Sequence, residues 1–143
     1  MLPDPASACP SVPRRALVVD DEAGVRVVIR RWLTRRGWVV DEAVDGAEAR
    51  QSLAPDDSGG ASFDLVICDL RMPALSGPEL FEWASRHRRD LLGRIVFSSG
   101  DVRDPAAASF LTSSGCLVLE KPFELSELAR VIGAAVAGGE RAA

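Results

Sequence analysis

The sequence predicts a doubly wound α/β domain built on a parallel sheet, and three observations carry that prediction. Short apolar runs alternate with helix-period segments from residue 15 onward. The runs show little polar alternation, as expected of strands covered on both faces. Several end abruptly in acid, hydroxyl or lysine, at the strand ends where open α/β sheets carry their sites. Alternation of this kind also requires right-handed crossovers between parallel strands.

Residues 1–14 hold four prolines and little apolar content, which predicts a disordered leader. The domain is expected over 15–137, with 138–143 as a frayed tail. Ala16–Val19 reads as the first strand and stops at Asp20-Asp21-Glu22. Residues 23–36 place Val25, Val28, Ile29, Trp32 and Leu33 on one helical face and Arg26, Arg30, Arg31, Arg35 and Arg36 on the other. Gly37 closes that helix, and Trp38–Val40 reads as the second strand. Asp45 and Glu48 form an N-cap pair opening a helix to about Leu53. A polar loop over 55–62 leads to a third strand, Phe63–Cys68, which ends at Asp69.

Ser76-Gly-Pro-Glu79 is a capping box with proline in the first turn, and its helix runs to about Arg88. Arg94–Ser99 is the fourth strand, and Asp104-Pro105 opens a helix that stops near Gly115. Cys116–Leu119 is the fifth strand. The last helix, about 124–137, should bury Leu125, Leu128, Ile132 and Val136. Five strands therefore alternate with five helices.

Composition excludes several classes. The net charge is −4, so no general basic field exists to hold nucleic acid. One histidine and three scattered cysteines cannot assemble a zinc set or a disulfide framework, which points to a reducing compartment. No apolar run approaches a membrane span, and the N-terminus lacks the apolar core of a signal peptide. The expectation is a cytoplasmic domain with no membrane contact. Of the 17 basic residues, the only lysine is Lys121, which singles out that position.

The strand ends collect Asp20, Asp21 and Asp69, the hydroxyl of Ser99, and Lys121. Each has a plain reading alone: the aspartates as caps or turn residues, Ser99 as a local backbone partner, Lys121 as solvated. Brought together, three carboxylates would repel and raise one another's pKa. A hard cation resolves that conflict, and oxygen ligands with room for water suit Mg²⁺. With Mg²⁺ and Lys121 the pocket approaches neutrality and can accept a phosphoryl group.

VVDDE (18–22), FDLVICDLRMPALSGPEL (63–80), IVFSSGD (95–101) and LEKPF (119–123) together resemble the receiver domain of two-component response regulators. The resemblance covers roughly Arg15 to Val136. It implies a flavodoxin-like, five-stranded sheet of order 2-1-3-4-5, with Asp69 as phosphoacceptor. It implies that Asp20, Asp21, Asp69 and the backbone carbonyl of Arg71 hold Mg²⁺, and that Ser99 and Lys121 bind the phosphoryl oxygens. A cis Lys121–Pro122 bond is implied as well, and Gly100 would leave room beside the phosphoryl group.

By the same resemblance a histidine kinase or histidine phosphotransfer protein docks at the first helix and the acidic pocket. The fourth helix, fifth strand and fifth helix would form a face for a homodimer or an effector. Three positions stand apart. Val118 occupies the place of a switching aromatic, and the chain contains no tyrosine. Arg71 and Asp101 flank the pocket and are expected to pair across its mouth. His87, in a basic helix end, reads as solvated, and Cys68 reads as a small core residue. No dinucleotide, P-loop or hydrolase motif is present, and Asp69-Leu70-Arg71 lacks the second acid of an aspartate-based phosphatase.

Overall fold

The computed structural model of the chain describes residues 13–54, 63–72 and 74–142, with side chains as far as residue 137. Most of the expected leader (1–12, with Cys9), the loop at 55–62, Pro73 and Ala143 lie outside the described residues. Five parallel strands form one sheet in the order β2-β1-β3-β4-β5. They are β1 (Arg15–Val19), β2 (Val39–Ala43), β3 (Leu65–Asp69), β4 (Ile95–Ser99) and β5 (Leu117–Glu120). Among the described residues the α-helices are α1 (Ala23–Arg35), α2 (Gly46–Leu53), α3 (Gly77–His87), α4 (Pro105–Ser114) and α5 (Leu125–Ala142). A 3₁₀ turn, Arg89–Arg94, joins α3 to β4.

Each central strand feeds two cores, because successive side chains point to opposite faces. On one face Ala16, Val18, Leu65, Ile67, Val96 and Leu119 pack against Ile29 and Leu33 of α1 and Leu128, Val131 and Ile132 of α5. On the other, Leu17, Val19, Val66, Cys68 and Phe97 meet Ala49 and Leu53 of α2 and Leu80 and Ala84 of α3. Helix α4 buries none of its residues fully; Ala107, Phe110 and Leu111 rest partly covered on this second core.

Local chemistry sets the helix starts as the sequence indicates. Asp45 accepts from the amide of Glu48 at 2.8 Å, and Asp104 accepts from Ala107 at 3.0 Å. Ser76 and Glu79 form a complete capping box. Gly37 and Gly115 close α1 and α4 with positive φ, at 88° and 69°.

Three expectations need correction. Strand β2 runs to Ala43, beyond the expected stop at Val40, because Asp41 and Glu42 are neutralised by arginines rather than ending the strand. Leu125, expected to be buried, is 53% exposed, and Val28, on the apolar face of the first helix, is 44% exposed. Val28 sits at the margin of the Ile29–Leu33 stripe, and Leu125 opens α5 before that helix reaches the sheet. The backbone of α5 also continues to Ala142, past the expected end at 137.

Candidate functional site

The site forms where β1 and β3, neighbours at the point where the strand order reverses, end side by side. Val19 pairs with Cys68, so Asp20 and Asp69 occupy the next position on adjacent strands. Asp69 in turn pairs with Ser98 of β4, and Ser99 with Glu120 of β5, which brings Lys121 to the same edge. Asp20, Asp69 and Ser99 are all buried, at 1%, 7% and 5% exposure.

Lys121 Nζ lies between the two buried carboxylates, 2.7 Å from Asp20 Oδ2 and 3.1 Å from Asp69 Oδ2. Glu22 stands farther out, at 3.9 Å. The other oxygen of Asp20 accepts from the Glu22 amide at 2.9 Å, and Asp69 Oδ1 accepts from the Arg71 amide at 3.2 Å. The Lys121 amide donates to the Ser99 carbonyl at 2.7 Å, tying the lysine to β4, and the Lys121–Pro122 bond is cis. Ser99 Oγ accepts from the Asp101 amide at 3.1 Å.

Burial raises the pKa of Asp69 above the ordinary carboxylate value of 3.8; the bond from Lys121 opposes that shift, and the charge of Asp20 adds to it. For Lys121 burial works against the ammonium, but the bonds to Asp20 and Asp69 outweigh it and raise its pKa above 10.5. Lys121 is therefore a cation at neutral pH, whereas burial disfavours the charged form of Asp69. Burial and the neighbouring carboxylates push the Cys68 thiol strongly upward, so this cysteine is inert core.

The structure brings Asp20, Asp21, Asp69 and Lys121 together. Oxygens of the three aspartates lie within 4.8 Å of one another, with Asp21 the exposed member. That donor set is all hard oxygen and fits Mg²⁺. Arg71 sends its guanidinium outward, 3.8 Å from Asp101 and also 3.6 Å from Asp104, a second partner not anticipated. Gly100 is exposed, and a Cβ there would meet no protein atom within 4 Å. Val118, half-buried, pairs with Phe97 across β4 and β5. His87 is exposed and stacks on Trp83 at 5.3 Å.

Two supporting residues have no role assigned from the sequence. A Cβ on Gly77 would come within 2.9 Å of the Asp69 carbonyl, so only glycine lets α3 begin directly against the end of β3. Its place beside the capping box was the available signal, since the box accounts for Ser76 and Glu79 but not for Gly77. Arg26 Nη1 donates to the Asp20 carbonyl at 2.6 Å, a contact that helical periodicity does not reveal.

A buried carboxylate beside a lone lysine, at the C-terminal edge of a sheet wound in this order, defines a signalling receiver rather than a conventional enzyme. The chain belongs to the response regulator receiver domain family, whose model matches residues 16–133. It is 35% identical over 117 residues to the response regulator MprA of Mycolicibacterium vanbaalenii, covering 82% of this chain and 48% of that protein. It is 33% identical over 116 residues to the sensor kinase CckA of Brucella abortus, covering 81% of this chain but 12% of that protein. The chain thus spans half or less of those two relatives. A CheY-like receiver domain from Methanospirillum hungatei shares the fold, with a TM-score of 0.78 at 22% identity over 92% of this chain and all of that one. Among the described residues no helix is long and apolar enough to cross a membrane.

Proposed function

We propose that this receiver takes a phosphoryl group from a phosphohistidine onto Asp69 and signals by the resulting change in the pocket. The observation that carries this reading is the position of Asp69: buried at a strand end, accepting from Lys121 at 3.1 Å, with Asp20 and Asp21 converging on it. A carboxylate oxygen of Asp69 attacks phosphorus as the phosphorus–nitrogen bond breaks. The bonding pair leaves with the imidazole nitrogen, and Asp69 becomes an acyl phosphate. Lys121 and the Ser99 hydroxyl receive the phosphoryl oxygens, lowering the charge that builds in the transition state.

Asp20, Asp21, Asp69 and the Arg71 carbonyl are the residues that would hold Mg²⁺. When bound, the ion would offset carboxylate repulsion and attract the incoming phosphoryl oxygens. Gly100 and Pro122 shape the rim, while Arg71, Asp101 and Val118 tune access of water and the response to phosphorylation. The domain would assist its own phosphorylation and dephosphorylation in the cytoplasm, docking a histidine kinase or phosphotransfer protein through α1 beside the pocket. Incubation with acetyl phosphate and Mg²⁺ should label the protein, and Asp69→Asn should abolish the label. Undiminished labelling of that variant would overturn the assignment.

A second reading, a dimerising or docking scaffold in which phosphorylation is secondary, is favoured by one observation. Helix α4 buries no residue fully, and Leu117 on the edge strand β5 is 40% exposed, so the α4–β5–α5 face has apolar surface to offer. Dimerisation independent of beryllofluoride, a phosphoryl mimic, would support it over the first.

A further inference from the structure

We propose that Arg26 is a positioning residue for the cation site, fixing the backbone that presents Asp20 and Asp21. The proposal rests on the reading above that these carboxylates, with Asp69, hold Mg²⁺. Asp20 lies just past the end of β1, where the ladder supplies one more bond, from its amide to the Ala43 carbonyl at 3.1 Å. Its own carbonyl accepts from Arg26 Nη1 at 2.6 Å. Oδ1 is held by the Glu22 amide and Oδ2 by Lys121, so all four polar atoms of this buried residue are engaged.

Arg26 is itself held. Its Nε donates to Glu42 Oε1 at 3.2 Å, and the other oxygen of Glu42 accepts from Arg30 Nη1 at 2.8 Å. The Arg26 side chain is 15% exposed and Glu42 28% exposed, so solvent competes little for these bonds. A rod of charge-assisted bonds therefore runs from strand β2 through α1 to the turn that carries both aspartates. Loss of such an outer support typically weakens metal binding by about 10–100-fold.

Charge alone predicts the opposite sign. A guanidinium near a cation site repels the cation, so neutralising it would tighten binding if its influence were only Coulombic. Calorimetric titration of the full chain with MgCl₂ separates the two. Arg26→Gln is expected to weaken Mg²⁺ binding at least about tenfold. Arg30→Gln removes a charge from the same helix but spares the Asp20 contact, and should leave affinity within about twofold. Arg26→Lys keeps the charge but lacks the fork needed to serve Glu42 and Asp20 together, and should weaken binding severalfold at constant net charge.

Circular dichroism melts confirm that each variant is folded at the titration temperature, and Arg26→Lys carries the test if Arg26→Gln is not. Unchanged or tighter binding by the folded Arg26 variants overturns the proposal while leaving the cation site intact. Failure of the wild-type chain to bind Mg²⁺ overturns the cation site itself, and the proposal with it.

Discussion

Replacing Asp69 with asparagine should stabilise the metal-free protein while removing the carboxylate proposed to accept the phosphoryl group. Ligand oxygens of Asp20 and Asp69 lie within 4.8 Å, a repulsion of about 3 kcal/mol at an effective dielectric constant of ~20. The attraction of Lys121 to Asp69 at 3.1 Å is larger, about 5 kcal/mol by the same relation. Burial of the carboxylate costs several kcal/mol more and reverses the balance, in keeping with the raised pKa of Asp69. Net, the neutral side chain is favoured, and each kcal/mol of that preference raises Tm by roughly 3–5 °C for a domain of this size. The pH dependence has a definite sign. Because the folded pKa is raised, the contribution of Asp69 is fully present below the ordinary value of 3.8 and is lost as pH rises through the folded value. Thermal melts in EDTA should show Asp69→Asn more stable than wild type at neutral pH, with the difference shrinking as pH falls. Added Mg²⁺ should narrow it from the other side, stabilising wild type by about 1.4 kcal/mol at tenfold excess over Kd. A variant less stable than wild type in EDTA at pH 7 would refute the balance, showing that the Lys121 pair outweighs burial.

Lys121→Arg should not preserve labelling by acetyl phosphate, because a planar fork cannot occupy the space of an ammonium held 2.7 and 3.1 Å from two buried carboxylates; a drop of at least about tenfold is expected in quantified phosphoprotein. Gly46→Ala should lower Tm, since the added Cβ would collide with the backbone carbonyl of Leu75; overpacking of this kind costs about 1–3 kcal/mol, read by calorimetry or circular dichroism. Single charge reversals at Arg71 or Asp101 should alter acyl-phosphate lifetime by no more than severalfold, as exposed pairs are worth about 0.2–1 kcal/mol. The double reversal should restore it only in part, because Asp104 also faces Arg71 at 3.6 Å, and decay of the labelled protein measures this directly.

The parts of the fold carried by local chemistry were legible in the chain. Apolar runs gave β1, β3 and β4, capping residues gave the starts of α2, α3 and α4, and the acids at strand ends gave the pocket. What the sequence could not display was pairing between distant charges. The apolar run at Trp38–Val40 marks only part of β2, because Asp41 and Glu42 continue the strand and are neutralised by Arg15, Arg26 and Arg30 from other elements. The arginine face of α1, expected to dock a partner, is for the same reason already partly engaged within the domain. Arg26 and Arg30 are committed to Glu42, and Arg36 lies 3.6 Å over the ring of Trp32. Val28 and Leu125 obeyed helical periodicity yet lie at the margin of what the sheet covers. Periodicity names a face but not its width.

The central claim is that Asp69 receives a phosphoryl group. Borohydride reduction of the protein after acetyl phosphate and Mg²⁺ treatment tests it most directly, since an acyl phosphate is reduced to the alcohol and aspartate becomes homoserine. Peptide mapping should find homoserine at position 69, dependent on Mg²⁺ and missing from the untreated protein. Homoserine at Asp20 or Asp21 instead, or none anywhere in a protein that binds Mg²⁺, would contradict the account.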